Sequence, residues 1–294
     1  MRSASSWVWT DAAVPSYTGH GVPSLRRRVV DGVWLRGMAR GDRVLRVEDG
    51  SAPPLRSRVH NVHEYDRVTN ALHSEPGTLR WIAEHVGPGD VFYDVGANVG
   101  IFTLLAAHRT GAAGQVVAFE PHAATTATLL ENIALNGLGD RVTVLSCALH
   151  RTSGHLPFLY RSLTAGSGLS QVGATRDPFG HDAQPVALEL KAVAAADDLI
   201  ASGAIRPADL VKIDVDGNEA DVLAGMRDLL SGSSRPRSVQ VEVNPEGHGE
   251  LLELMSATGY RMAGRHHTMG IAKLIRAGAD PATLGANFVF EPIS

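Results

Sequence analysis

Four acids stand at the ends of short apolar runs. Asp94 follows Val91-Phe92-Tyr93, Glu120 follows Val116-Val117-Ala118-Phe119, Asp214 follows Leu210-Val211-Lys212-Ile213, and Glu242 lies in Val239–Val243. A glycine-bearing stretch, Asp94-Val95-Gly96-Ala97-Asn98-Val99-Gly100, comes directly after the first run and before a helical pattern. Gly96 suits a tight turn with close approach of a ligand to the backbone, and Gly100 lets the helix pack against the strand. Glu120, 24 residues beyond Gly96, is placed for a carboxylate that binds both hydroxyls of a ribose. The stretch lacks the second glycine of a diphosphate-binding Gly-x-Gly-x-x-Gly, because Asn98 occupies that place. An acid at the strand end favours a ligand with an ammonium head over one with a diphosphate. S-adenosylmethionine has an amino-acid head, a ribose and no phosphate, and these residues fit it.

The elements that must position these residues alternate. The spacing predicts a helix begun by Ser74 and Pro76 and carrying Leu79, Ile82 and Val86. Strand 91–95 is followed by a helix over about 99–109, strand 115–120, a helix over about 123–136 and strand 142–145. Leu156–Tyr160 and Val186–Leu190 read as strands on either side of a polar Gly/Ser-rich loop, 161–185, long enough to be a substrate lid with Ser167, Ser170 and Gln171 as contacts. Strand 210–214, a helix through Val222–Leu230, strand 239–243, a helix through Leu251–Met255 and a last strand 287–291 complete the pattern. Helices between strands require a mostly parallel sheet covered on both faces, whose ligands bind at the carboxyl ends of the strands. Residues 1–65 form a basic extension with ten Arg and six acids, separate from a domain over 66–294. Within it Arg26-Arg27-Arg28 is a candidate anion site, and the arm as a whole a surface for packing on the body or on a second copy in a homodimer.

Composition excludes several classes. With 44% hydrophobic and 20% charged residues the chain is globular. No apolar run reaches the ~20 residues of a membrane span, and the first residues lack the apolar core of a secretory signal. A net charge of −4 leaves no footprint for nucleic acid, and the single Cys147 allows no internal disulfide. A soluble, cytoplasmic α/β protein is expected, with neither membrane nor nucleic acid as partner.

Five segments in order resemble the FkbM family of S-adenosylmethionine-dependent methyltransferases: 87–100, Val117-Ala118-Phe119-Glu120-Pro121, Glu131–Gly137, 142–149, and Asp209–Glu219 with the strand ending in Glu242. The resemblance covers about 75–260 and is expected to run to the C-terminus. It departs mildly at Asp216-Gly217-Asn218-Glu219, where the family pattern is Glu-Gly-Ala-Glu. It implies a class I, Rossmann-like fold of seven mostly parallel strands with the last one antiparallel. By the same resemblance Asp94, Gly96, Asn98 and Gly100 belong to the cofactor site, with Asp94, Gly96 and Asn98 lining the methionine end. Glu120 would hold the ribose, Cys147 and Ala148 border the adenine, and His122 cover one adenine face. The implied reaction is O-methylation of a small hydroxylated acceptor, a sugar or secondary metabolite.

Methyl transfer from a sulfonium is an in-line displacement that demands positioning and a group to take the hydroxyl proton. Asp214 is the first candidate, as base or as orienter of the acceptor beside the cofactor, against a supporting role for loop 216–219. His267, in the pair His266-His267 before the last strand, is the second. Asp214, Glu242 and Asn244 offer oxygens that suit Mg²⁺, but the preferred reading has no metal. N- or carboxyl-methylation, an NAD-dependent oxidoreductase and a non-catalytic subunit keeping the fold are the competing functions.

Overall fold

The computed structural model of the protein describes residues 16–18, 43–48, 53–173 and 185–293. Arg26–Arg28 lie outside the described residues, as does the stretch 174–184 of the polar loop. The chain begins with strands β1 (Ser16–Thr18), β2 (Arg43–Glu48) and β3 (Leu55–Val59), which make a small sheet in that order. Helices α1 (Val62–Ser74) and α2 (Pro76–His85) lead into the alternating part. This runs β4 (Val91–Val95), α3 (Ile101–Thr110), β5 (Gln115–Phe119), α4 (Ala123–Leu135) and β6 (Val142–Leu145). Strands β7 (Ala148–Leu149), β8 (Gly154–Tyr160), β9 (Gln171–Val172) and β10 (Ala187–Ala194) form a second sheet, ordered β7-β10-β8-β9. After α5 (Ala196–Ala201) come β11 (Leu210–Ile213), α6 (Glu219–Ala224), α7 (Arg227–Ser231) and β12 (Ser238–Val243). The chain closes with α8 (His248–Ala257), β13 (Tyr260–His266), α9 (Met269–Arg276) and β14 (Ala286–Pro292).

The main sheet has seven strands ordered β13-β14-β12-β11-β4-β5-β6. Strands β12, β11, β4, β5 and β6 are parallel, and β14, last in the chain, runs antiparallel to both its neighbours. Such strands are buried on both faces, which is why they read as unbroken apolar runs. Alternate side chains serve opposite faces. Phe92, Val116 and Ala118 pack with α2, α3 and α4 on one face. Tyr93, Val117 and Phe119 join the core under α6, α7 and α8 on the other. Chain order moves outward from β4 through β5 to β6, then returns to β11 on the other side of β4. The crevice at that reversal is where a parallel sheet receives ligands.

The sequence pattern missed α1, β13 and α9. The helix expected from Ser74 instead starts at Pro76, with Glu75 at its N-cap. Within the described residues, Leu45 and Val47 of β2 and Leu55 and Val59 of β3 share the core of α2–α4. Asn132 on α4 and Asn136, its C-cap one turn further on, fix them there. Asn132 Oδ1 accepts from Arg58 N at 2.7 Å, while its Nδ2 donates to Val99 O at 2.8 Å and Ser57 Oγ at 3.1 Å. Asn136 brackets Arg56 in the same way, at 2.8 and 2.6 Å. Replacing the buried Asn132 by Leu orphans all three of its partners. The expected result is a loss of about 2–4 kcal/mol of unfolding free energy, measured by denaturant titration. A loss below about 0.5 kcal/mol would mean that β3 is held by packing alone. No helix among the described residues is long and apolar enough to cross a membrane.

Candidate active site

A cavity of about 280 Å³ opens over the carboxyl ends of β4, β5, β11 and β12. The β4–α3 turn forms its edge. Gly96 has φ +81°, and a Cβ there would come within 1.9 Å of the Asp214 carbonyl oxygen, so only glycine lets this turn lie against β11. Asn98 follows at φ 49°, and Gly100, at φ +94°, caps α3 against Leu129.

Glu120, at the end of β5, lines the cavity and is buried. Its two oxygens each accept one main-chain N–H: Asn98 N at 2.8 Å and His122 N at 2.8 Å. Burial pushes its carboxyl up to about 7, against the lowering effect of those two hydrogen bonds. The carboxylate is thus aimed and rigid, with lone pairs left for a ligand. His122 also lines the cavity, but its ring is already engaged. Nδ1 accepts from Thr125 N at 3.2 Å as the N-cap of α4, Nε2 lies 2.9 Å from Ser162 O, and Tyr160 meets it edge-on at 4.9 Å. Cys147 and Ala148 form the wall beyond Glu120. Burial raises the Cys147 thiol to about 11, which makes it a packing residue rather than a nucleophile.

The opposite wall is a cluster of acids around one cation. Lys212, 1% exposed, lies on β11 with Nζ 3.0 Å from Asp214 Oδ2 and 3.5 Å from Asp94 Oδ1, over the ring of Phe102. Asp214 keeps about a third of its side chain exposed (32%). Glu75, Asp214 and Glu242 bring oxygens within 4.8 Å of one another. Burial opposes ionisation of Asp214, but the Lys212 ammonium and a hydrogen bond from Glu242 outweigh it and hold the carboxyl below its usual range. Glu242 is pushed well above its usual value by the Asp214 charge, then by burial and by Glu75. Glu75 is raised to about 7, chiefly by burial and then by Asp214. Asp214 is therefore the more acidic and Glu242 the more basic member of one coupled pair.

Loop 161–173 roofs the cavity. Leu169 N donates to Asp216 Oδ2 at 2.5 Å, Gln171 donates to the Asp216 carbonyl, and Gly166 N donates to Thr125 Oγ1 at 3.1 Å. The roof is tied to the β11–α6 loop on one side and to the start of α4 on the other. Ser167, Ser170 and Gln171 all line the cavity beneath it.

Of the residues expected at the site, Gly96, Asn98, Glu120, His122, Cys147, Ala148 and Asp214 line this cavity, and Gly100 lines an adjoining one of about 390 Å³. Two of the expected residues lie outside both linings. Asp94 does not face the cavity. Its carboxylate is buried below the turn, where Oδ2 accepts from Thr103 Oγ1 at 2.6 Å and Oδ1 faces Lys212, so it supports the turn from beneath. His267 is also absent from both linings; its Nδ1 lies 3.0 Å from the Gly285 carbonyl. The pattern also passed over Lys212, Glu75 and Arg67. A lysine inside an apolar strand reads as a surface interruption, and only the flanking acids Asp94 and Asp214 signalled a buried partner.

A seven-stranded sheet with its last strand reversed, bearing a cavity at the switch point between β4 and β11, is the class I methyltransferase fold. A model of the methyltransferase FkbM domain matches residues 94–262, more than half of the chain. The chain belongs to the FkbM methyltransferase family and is a methyltransferase. Relatives include the 31-O-demethyl-FK506 methyltransferase FkbM of Streptomyces tacrolimicus, 31% identical over 67% of this chain and 83% of that protein. The hexuronic acid methyltransferase AglP of Haloferax volcanii is 29% identical over 63% of this chain and 69% of its own. Among solved structures, methyltransferase FkbM of Methylobacillus flagellatus aligns with 77% of this chain and 53% of its own, at 18% identity and a TM-score of 0.43.

Proposed function

We propose that the protein is an S-adenosylmethionine-dependent O-methyltransferase that acts on a hydroxyl of a small molecule, a sugar or secondary metabolite. The observation that carries this reading is the pairing, across one cavity, of a rigid carboxylate at Glu120 with an ionised, proton-sharing carboxylate at Asp214. The residues fit the donor. Glu120 offers a fixed acceptor pair for a diol, and Ser167 Oγ is buried at the wall with no partner among the described residues. Asp214, the most acidic member of the cluster, is largely offset by Lys212, so the wall holds no strong positive charge against a sulfonium. The names of two relatives, one for a hexuronic acid and one for 31-O-demethyl-FK506, support a small hydroxylated acceptor.

When bound, the donor supplies an electrophilic methyl group on sulfur. This chain's part is to align and to take a proton. Asp214 accepts a hydrogen bond from the acceptor hydroxyl and so fixes its oxygen in line with the methyl group. As the new C–O bond forms, the hydroxyl proton becomes strongly acidic. A carboxylate of low basicity therefore suffices to remove it, and Lys212 does not disable Asp214 by holding it ionised. Glu242, the more basic member of the coupled pair, lets the pair share the incoming proton. Glu75, Asp214 and Glu242 also suit a divalent cation by oxygen type, but the Lys212 ammonium already neutralises the charged member. The reading therefore needs no Mg²⁺.

The test is transfer of a labelled methyl group to uronic acid and polyketide alcohol acceptors, with and without excess EDTA. Label in an ether linkage, at a rate unchanged by EDTA, is the expected result. Label found on nitrogen or as a methyl ester would replace the O-methylation reading, and loss of turnover in EDTA would replace the metal-free one. A cytoplasmic location and a homodimer through the N-terminal arm remain part of this proposal, the latter testable by sedimentation of the chain with and without residues 1–42.

A further inference from the structure

The two cavities meet at Gly96, Asn98, Asp214, Gly168 and Arg67. Arg67 comes from α1, outside the matched family segment. Among the described lining residues the permanently cationic side chains are Arg67 and Lys212, and Lys212 is fully committed to Asp94 and Asp214. Arg67 is not committed. Its Nε donates to the Gly166 carbonyl at 3.1 Å, and its guanidinium makes no other hydrogen bond or ion pair among the described residues. Several carboxylates surround it, yet none has captured it.

The loop around it is shaped to the guanidinium. Gly166 takes φ +79°, where a Cβ would press on the backbone of Glu64 at 2.9 Å, so the carbonyl that anchors Nε is itself seated against α1. A Cβ on Gly168 would lie 2.6 Å from Arg67 Nη2. Gly166 is needed for the loop to present that carbonyl, and Gly168 leaves the Nη end of the guanidinium uncrowded at the junction. A planar fork held at one nitrogen, with its remaining N–H groups unpartnered among the described residues, is the geometry that binds a carboxylate in two hydrogen bonds.

We infer that Arg67 is the carboxylate-binding residue of this site: its Nη groups take a carboxylate of a bound ligand at the junction of the two cavities. This rests on the methyltransferase reading above. The carboxylate has two sources, the amino-acid end of the methyl donor or an acid group on the acceptor.

The test uses the full chain with Arg67→Gln and Arg67→Lys, each first shown to melt like the wild type. Calorimetry compares S-adenosylhomocysteine with 5′-methylthioadenosine, which lacks the amino-acid end. A second arm compares glucuronic acid with glucose on protein saturated with S-adenosylhomocysteine. If the donor is the source, Arg67→Gln weakens S-adenosylhomocysteine at least tenfold and leaves 5′-methylthioadenosine within twofold, with Arg67→Lys between. If the acceptor is the source, affinity for the product is unchanged and the preference for glucuronic acid over glucose disappears. Equal weakening of both nucleosides, or no loss in either arm, overturns the inference. Wild-type protein that binds neither nucleoside overturns instead the reading on which it rests.

Discussion

Asp214→Asn is expected to lower kcat by about 10²–10⁴-fold, the usual span for removing a positioned proton acceptor. Affinity for S-adenosylhomocysteine should change far less than kcat, because the substitution keeps shape and Lys212 already offsets the charge that it removes. Asp214 is the ionised member of the cluster: Lys212 donates to it at 3.0 Å, and the raised Glu242 shares a proton with it. The amide can still orient a hydroxyl but cannot take its proton, so the loss belongs in kcat. A melting curve close to wild type is required for that reading, since Lys212 loses one of its two partners. Glu242→Gln keeps the charge on Asp214 and should cost much less. A kcat for Asp214→Asn within threefold of wild type would move the chemistry elsewhere in the cavity.

Glu120→Ala is expected to weaken S-adenosylhomocysteine by about 10²-fold or more, two hydrogen bonds to a charged group at roughly 1.5–3 kcal/mol each. The carboxyl titrates at about 7, raised from 4.5 chiefly by burial. A ribose diol donates to the ionised form, so wild-type affinity should fall as pH drops through 7, approaching tenfold per unit below it. Glu120→Gln should flatten that dependence. The stability of the ligand-free protein carries the opposite sign. A carboxyl raised on folding stabilises fully below its unfolded value of 4.5, and that contribution is lost as pH rises through about 7. The melting temperature without ligand should therefore fall between pH 5 and pH 8, and fall less in Glu120→Gln. An affinity that does not vary from pH 6 to pH 8 would show that no titrating carboxylate holds the ligand.

Strand ends proved the most legible part of the sequence. A parallel strand buried on both faces is a continuous apolar run, so the acid that ends it is conspicuous, and Glu120 and Asp214 both line the cavity as expected. The reversal of the last strand came from the family resemblance, and β14 shows it. Periodicity failed where elements are held by polar contacts. Helix α1 begins with a capping box, Asn61 with Glu64, and Glu64 is buried to accept from Thr128 Oγ1 at 2.6 Å. A charged residue on an inward face weakens the apolar period that would have revealed the helix. For Asp94, type and position suggested the rim, and the fold shows Thr103 and Lys212 beside its carboxylate under the turn. His267 was chosen for its chemistry and its place before the last strand, yet the structure takes it to the Gly285 carbonyl. Arg67 carried no signal at all, since its role depends on two glycines about a hundred residues downstream.

Isothermal titration of the wild-type chain with S-adenosylhomocysteine at pH 8 bears most directly on the claim that a sulfonium nucleoside lies across the carboxyl ends of β4, β5 and β11. A saturable isotherm with one site per chain, abolished in a folded Glu120→Ala variant, is the predicted result. Folded wild-type protein that gives no binding heat, or a Glu120→Ala variant that binds like wild type, would contradict it.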